Sequence, residues 1–347
     1  MEAAKPNISV TPWGNYQEQE VFLIRWENTD GSYVELTNYG ATLVSVVVPE
    51  KSGKLSPVVL GFSGLEAYLE DKCYVGSTIG RFANRISSAR FQLKGEKFTL
   101  EPNDKPNTNH GGFQGFHAKV FSVEINPEAV SFLLTSKDGE GGYPGTLNLK
   151  ITYTWNAAHE LSIRYQAVTD KPTIANFTNH AYFNLSGTNR DMTDHKLTVY
   201  AEQMLEMAAD FLPTGKIMNC GNQAFNATKI KDRIAQSKGI CAVNDYYILA
   251  DNNKTDRLKH ACTLEEETTG RRMDVFTTYP GVMVYTGDFL KSKFYGHTQA
   301  AYQPFDGICL ECQHYPDSPN QPHFPPAYLA PGETYDESIL FKFKLNV

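Results

Sequence analysis

The sequence has no run of apolar residues that approaches the ~20 needed for a membrane-spanning helix. It also has no basic excess, because 32 Lys and Arg residues stand against 39 Asp and Glu residues, for a formal net charge of -7. Proteins that bind nucleic acid or anionic membranes usually carry a basic patch or stripe, and the basic residues here form neither. We therefore expect no nucleic acid and no membrane among the partners of this chain.

Cysteine is sparse as well. The six cysteines are mostly far apart, at positions 73, 220, 241, 262, 309 and 312, which favours reduced thiols over a disulfide framework. Cys309 and Cys312 match C-x-x-C, but no second pair accompanies them, so we expect no zinc site. The segment Met1–Asn7 lacks the basic and apolar regions of a secretory signal. These features together predict a cytoplasmic protein.

Helical periodicity is scarce, and alternation of apolar with polar residues is the main pattern. Alternating residues at 147–155 and 161–167 flank the turn 156–159, which predicts a β-hairpin with one buried face. Similar patterns occur at 91–100 and 339–345. Only three short segments are candidate helices: Leu65–Lys72, Gln203–Ala209 and Lys231–Lys238.

The composition agrees with a β-rich protein. The 19 Tyr and 20 Phe favour strands, while 26 Gly and 18 Pro supply turns. Strand patterns continue from about Tyr33 without a repeat, a linker or a change in composition. We therefore predict one all-β domain over residues 1–347, a large single-domain antiparallel β-sandwich with few short helices.

Two segments carry residue types that move protons at neutral pH. His180 stands among amide and hydroxyl side chains in 178–184, and Glu311 is the one carboxylate in the apolar run 308–312. Histidine titrates near neutrality, and burial raises the pKa of a carboxyl group towards it. The two residues are therefore candidates for a general acid and a general base. A buried structural histidine and a structural ion pair are the alternatives, although 308–312 contains no cation.

Three further segments are weaker candidates for a binding site. His110 precedes two glycines that would allow close approach of a ligand, but the segment also suits a plain turn. Asn84 and Arg85 would suit a carboxylate, a phosphate or paired hydroxyls, and Asp245 is a further candidate. A metal held by His110, His180 and Glu311 is conceivable, but the spacing matches no metal motif. No dinucleotide or phosphate loop occurs either, so we expect no metal and no cofactor.

Taken together, these segments resemble the aldose 1-epimerase family, also called galactose mutarotases. The resemblance runs from about Tyr33 to the C-terminus and rests on several motifs in the right order: Gly80–Ile86, His110–Gly112, Thr178–Leu185, Leu310–Glu311, Asn320–Pro325 and Pro331–Tyr335. It implies a galactose mutarotase-like β-sandwich with the sugar site on a concave sheet. It also implies interconversion of the α and β anomers of free aldohexoses, such as galactose and glucose, without a cofactor.

The resemblance also implies roles for single residues. Glu311 would be the base that takes the anomeric hydroxyl proton, and His180 the acid that protonates the ring oxygen. His110 would position the ring region. Asn84, Arg85 and Asp245 would bind hydroxyls.

Two positions depart from the family pattern and leave the sugar preference open. The family usually has Gln where this chain has Tyr279, which we place among the substrate-binding residues. It often has His where this chain has Tyr246. We expect a monosaccharide as the partner, and a monomer or weak homodimer as the assembly.

Two alternatives stay open from the sequence. A mutarotase for hexose 6-phosphates would need cations for the phosphate, and Arg81, Arg85 and Arg90 are available. A catalytically inactive sugar-binding protein of the same fold is the other alternative.

Overall fold

The structure is a computed structural model that describes residues 7–187, 191–236, 242–250, 258–297 and 299–346. Antiparallel strands dominate these residues. Five strands form one sheet in chain order: β1 (Asn7–Tyr16), β2 (Gln19–Glu27), β3 (Tyr33–Thr37), β4 (Thr42–Pro49) and β5 (Leu55–Pro57).

The largest sheet of the described residues has nine strands. Their order across the sheet is β11 (Ser122–Asn126), β12 (Ala129–Ser136), β13 (Leu147–Trp155), β14 (Glu160–Thr169), β28 (Tyr335–Leu345), β24 (Arg271–Thr277), β23 (Lys259–Glu265), β18 (Lys196–Val199) and β21 (Thr228–Lys229). The predicted hairpin is confirmed, because β13 pairs with β14, with Leu147 opposite Thr169 at one end and Trp155 opposite Leu161 at the other. The alternating segment 339–345 is also confirmed as a strand, within β28.

A six-stranded sheet carries part of the site described below. Its order is β17 (Tyr182–Phe183), β26 (Ile308–Gln313), β25 (Gly281–Tyr285), β22 (Asn244–Ile248), β19 (Gln203–Met207) and β20 (Pro213–Asn219). Four strand pairs complete the ladders: β6 (Thr78–Ile79) with β16 (Thr178–Asn179), β7 (Arg85–Ile86) with β10 (Thr108–Asn109), β8 (Arg90–Leu93) with β9 (Glu96–Thr99), and β15 (Thr173–Ile174) with β27 (Tyr328–Leu329). The pair β8–β9 confirms the predicted hairpin at 91–100.

Helices are short, as predicted. The described α-helices are α1 (Leu65–Glu70) and α2 (Ile230–Gln236), accompanied by single 3-10 turns at Ser87–Ala89, Phe116–Ala118, Glu140–Gly142, Gly221–Gln223 and Ser318–Asn320. Two candidate helices are thus confirmed, although residues 237 and 238 lie outside the described residues. Within the described ranges, no helix has the length and apolar character that crossing a bilayer requires.

The third candidate helix, Gln203–Ala209, is wrong. The segment forms strand β19, which pairs with β20 on one side and β22 on the other. Met204 and Leu205 are both buried, in two different apolar clusters. Because a strand sends successive side chains to opposite faces, this burial on both sides outweighs the helical preference of Met, Leu and Glu.

One apolar cluster joins the three large sheets and places the site residues. Val34, Ile151, Val282 and Phe341, from different strands, are each at most 1% exposed within it. The β-sandwich predicted from the sequence is therefore confirmed. Leu310 and Cys312 on β26 belong to this cluster, so the side chain between them must point to the opposite face of the sheet.

Arg81 is a structural residue of this fold. Its guanidinium, only 2% exposed, donates to the carbonyl oxygens of Pro144 and Gly145, each at 2.8 Å, and to Ser136 Oγ at 2.6 Å. We expect Arg81→Met to lower the free energy of unfolding by roughly 1–3 kcal/mol, because the buried acceptors would lose their donor. Urea denaturation followed by tryptophan fluorescence would measure the loss.

Arg164 supplies the matched control for this substitution. Its guanidinium is half exposed and pairs with Asp336 on the surface, where an ion pair contributes roughly 0–1 kcal/mol. Equal losses for Arg164→Met and Arg81→Met would show that the buried hydrogen bonds of Arg81 do not stabilise the fold.

Candidate active site

A cavity of about 370 Å³ opens beside strand β26. Its size suits a small ligand, and polar and aromatic side chains form most of its lining. The structure brings five of the predicted site residues together there: Asn84, Arg85, His110, His180 and Glu311.

Glu311 reaches the cavity because of its place in the sheet. Its neighbours Leu310 and Cys312 point into the main core, so its own side chain points to the other face of β26. The residue is only 2% exposed, and its Oε2 has no hydrogen-bond partner among the described residues. A buried carboxyl oxygen without a partner is costly in a native fold, and a ligand hydroxyl would satisfy it.

The main chain fixes His180 in place. Its N–H donates to the Ser77 carbonyl at 2.9 Å, and its own carbonyl accepts the Gly76 N–H at 3.0 Å. These bonds join the segment 76–77 to the end of β16, which pairs with β6. The imidazole is thereby held at the cavity wall with 4% of the residue exposed.

The two groups face each other. The distance from His180 Nε2 to Glu311 Oε1 is 3.7 Å. Burial raises the pKa of Glu311 to about 8, against the opposing charge of Arg85. Burial also lowers the pKa of His180 to about 4, although a hydrogen bond to its own main chain opposes this shift. Between these values the pair holds one exchangeable proton, and burial places that proton on the carboxyl group.

His110 and Asn84 form a reciprocal pair. The His110 N–H donates to the Asn84 carbonyl at 3.2 Å, and the Asn84 N–H donates to His110 Nδ1 at the same distance. Burial, with smaller contributions from His180 and Arg85, lowers the pKa of His110 well below its ordinary value. A neutral imidazole that accepts at Nδ1 carries its proton on Nε2. His110 therefore presents Nε2–H as a hydrogen-bond donor at the cavity.

The same three side chains resemble a metal site by composition. Ligand atoms of His110, His180 and Glu311 lie within 4.8 Å of one another, and two imidazoles with a carboxylate are a known zinc ligand set. A metal bound at His110 Nε2 would require Nδ1 to carry the proton, and that position already accepts the Asn84 N–H. This hydrogen bond favours a hydroxyl-bearing ligand over a cation.

Arg85 lies at the cavity wall in a fixed position. Its Nε is 2.7 Å from Asp104 Oδ2, and its guanidinium lies 5.0 Å from the centre of the Phe211 ring. These contacts hold the guanidinium while leaving further N–H donors for a ligand.

Two residues predicted to bind substrate do not line this cavity. Asp245 follows Asn244 on β22, and alternation sends its carboxylate to the other side of the strand. There it pairs with Arg233 at 3.0 Å and lines a larger neighbouring cavity of about 750 Å³, which Asn244 also borders. Tyr279 is fully buried and donates to the Phe177 carbonyl at 2.6 Å.

Tyr246, the second departure from the family pattern, is also a core residue. It is fully buried, and its hydroxyl donates to the Gln313 carbonyl at 2.9 Å.

Asn244 and Tyr74 also line the cavity but were not among the residues expected from the sequence. Asn244 directly precedes Asp245 in the sequence, and only the strand register separates their side chains. The Tyr74 ring contacts two imidazoles of the cavity, with ring centres 4.8 Å from His110 and 5.7 Å from His180. No sequence motif marked Tyr74, but its φ of 57° is unusual for an aromatic residue and indicates a constrained position.

The pKa of Glu311 makes the stability of the fold depend on pH. The ordinary value for Glu is 4.5, and burial raises it to about 8 in the folded chain. Between these values the unfolded chain loses a proton that the folded chain keeps, so stability falls as the pH rises through this range. We expect Glu311→Gln to remove this loss of stability. The melting temperature of the variant relative to that of the unchanged protein should therefore be higher at about pH 8 than at about pH 5.

Differential scanning fluorimetry across this range measures the difference. Glu128→Gln is the matched control, because it makes the same substitution at an exposed position. An advantage of Glu311→Gln that stays constant from about pH 5 to about pH 8 would contradict the raised pKa.

Comparison with known proteins points to a single family. A family model described as aldose 1-epimerase matches residues 23–342. Galactose mutarotase from Mus musculus is 39% identical over 323 residues, which cover 91% of this chain and 92% of the mouse protein. Aldose 1-epimerase from Escherichia coli (strain K12) is 32% identical over 337 residues, covering 92% of this chain and 94% of that protein.

A solved structure gives the same result for the fold. An aldose epimerase homologue from C. elegans matches with a TM-score of 0.87 at 27% identity, covering 98% of this chain and 100% of that chain. The resemblance identified in the sequence is thus confirmed by the family model, by the relatives and by the fold. The chain belongs to the aldose 1-epimerase family and is an isomerase that catalyses mutarotation of aldoses.

Proposed function

We propose that the protein interconverts the α and β anomers of free aldohexoses, galactose and glucose among them, with Glu311 and His180 as the proton-transferring groups. The observation that carries this proposal is the 3.7 Å approach of the two side chains at one cavity. The cavity also presents amide, guanidinium and imidazole groups, which are suitable partners for sugar hydroxyls.

The proposed reaction opens the sugar ring and closes it again. Glu311 takes the proton of the anomeric hydroxyl while His180 Nε2 gives a proton to the ring oxygen, and the bond between C1 and the ring oxygen breaks. Rotation about C1–C2 presents the other face of the aldehyde to the ring hydroxyl. Closure then returns one proton to the new anomeric oxygen and one to His180, so each group acts once as donor and once as acceptor.

In the empty cavity the proton lies on Glu311, and it must move to His180 before ring opening can begin. Burial places the proton on Glu311 in the empty cavity, whereas the proposed opening step begins with His180 protonated. Arg85 favours the ionised form of Glu311, and sugar hydroxyls at the unpartnered Oε2 would favour it further. Binding of the sugar thus shifts the proton between the two side chains.

His110, Arg85 and Asn84 hold the sugar in this proposal. His110 presents Nε2–H to an oxygen atom, and Arg85 presents its remaining N–H groups to paired hydroxyls. We add Asn244 as a hydroxyl partner, because it lines the cavity where Asp245 does not.

Polarimetry of fresh α-D-galactose or α-D-glucose tests the proposal. We expect the protein to speed equilibration above the buffer rate. Glu311→Gln and His180→Asn should each lower kcat by about 10²–10⁴-fold, because each removes one proton-transferring group. Circular dichroism would establish that both variants remain folded.

Glu128→Gln serves as the control and should retain full turnover, since Glu128 is exposed and distant in sequence from every site residue. Sugar binding without anomer exchange would favour the inactive sugar-binding alternative. Near-normal turnover in Glu311→Gln or His180→Asn would remove that residue from the mechanism.

The pH profile follows from the shared proton. Below about pH 4 both groups are protonated and no base is present, and above about pH 8 both are deprotonated and no acid is present. Of the other groups in the cavity, His110 and Tyr74 are neutral near pH 7, since burial lowers the pKa of His110 well below its ordinary value and raises that of Tyr74 to about 12. We expect kcat/KM, which reports the free enzyme, to plateau between these limits and to fall on both sides. A profile that keeps rising beyond about pH 9, after subtraction of the buffer rate, would contradict proton transfer by this pair.

A hexose 6-phosphate substrate has one observation in its favour. Lys72 and Lys291 line the same cavity and are exposed at its mouth. Arg81, by contrast, is committed to main-chain acceptors. Competition by galactose 6-phosphate against galactose distinguishes a free-sugar substrate from a hexose 6-phosphate substrate. The free-sugar proposal expects weak inhibition by the sugar phosphate. Inhibition stronger than that by free glucose would favour the hexose 6-phosphate substrate.

A further inference from the structure

A thiol lies directly behind the His180 imidazole. Cys309 Sγ is 3.5 Å from His180 Nδ1, and the residue is fully buried. Cys309 precedes Glu311 by two positions on β26, so both side chains are on the same face of the strand. In the sheet it lies between Tyr182 and Tyr285, which also line the cavity.

The two nitrogen atoms of His180 have different neighbours. Nε2 faces Glu311 Oε1 at 3.7 Å. Nδ1 faces the Cys309 sulfur, and the ring also hydrogen-bonds to the main chain of His180 itself. A carbonyl oxygen only accepts hydrogen bonds, and a thiol sulfur is a weak acceptor and a weak donor.

These neighbours determine which nitrogen carries the proton. In a neutral imidazole the proton stays on the nitrogen whose neighbours accept it. A sulfur acceptor beside Nδ1 favours a proton there, and the carboxyl proton of Glu311 favours a lone pair on Nε2. When Nε2 takes up a second proton, the sulfur stabilises the resulting cation.

We propose that Cys309 is a positioning residue for His180. Its sulfur holds the imidazole in the Nδ1–H tautomer and in the orientation that makes Nε2 the atom that exchanges protons. The proposal rests on the proposed function of His180, and it assigns to Cys309 no contact with the sugar.

Cys312 gives a matched control on the same strand. Both cysteines are fully buried, and replacement of either by Ala removes one sulfur atom from the interior. The Cys312 side chain lies in the main apolar core, on the face of β26 opposite Glu311. Cys309→Ala and Cys312→Ala should therefore lose similar stability but differ in their effect on His180.

The experiment compares Cys309→Ala, Cys309→Ser and Cys312→Ala in the full chain. Polarimetry gives kcat and KM, and ¹⁵N chemical shifts of labelled histidine report the tautomer of His180. We expect Cys309→Ala to lower kcat about tenfold, the effect of losing one hydrogen bond, with KM changed less than about twofold. The shifts of its two ring nitrogens should move towards each other, because the Nδ1–H tautomer then loses one of the groups that favour it.

Cys309→Ser should recover most of kcat and the single tautomer, because a hydroxyl can also accept from Nδ1–H. Cys312→Ala should keep the unchanged protein's kcat and tautomer. Unchanged kcat and shifts in Cys309→Ala, or an equal fall of kcat in Cys312→Ala, would overturn the proposal. Absence of mutarotation in the unchanged protein would instead defeat the proposed function, and the shifts would still test the contact.

Discussion

Burial of the Glu311 carboxyl group is the constraint on which the rest of the site depends. The strand sends Leu310 and Cys312 into the core and Glu311 to the opposite face, where burial penalises its charge. The carboxyl group therefore keeps its proton near neutrality. His180 is kept neutral by the same cause, so the two groups together hold one exchangeable proton, which resides on Glu311.

The groups around this pair are fixed before any sugar arrives. His180 is tied to the segment 76–77 by two main-chain hydrogen bonds, and His110 is tied to Asn84 by one main-chain bond and one to its ring Nδ1. Asn84, His110 and Tyr74 all have positive φ angles, which non-glycine residues adopt at a cost. These positive φ angles lower the stability of the fold but keep the hydrogen-bonding groups in a fixed arrangement.

Particular residues show which features of the fold and of the site could be predicted from the sequence. Alternation predicted the hairpins correctly because those strands bury one face, but it failed at Gln203–Met207, where both faces are buried. Residue type alone marked His180 and Glu311, yet they are 131 positions apart in the sequence (311 − 180), and only the family resemblance implied that they meet. The choice between Asn244 and Asp245 depended on strand register, which a single sequence does not contain.

Strand β28 lies in the middle of the nine-stranded sheet, between β14 and β24. A ribosome makes this strand after every other described strand. Until it emerges, β14 and β24 have no partner between them, and their unpaired main-chain groups are open to pairing with other chains. Proteolytic loss of this strand would likewise split the sheet at its centre and leave two edges open to pairing with other chains.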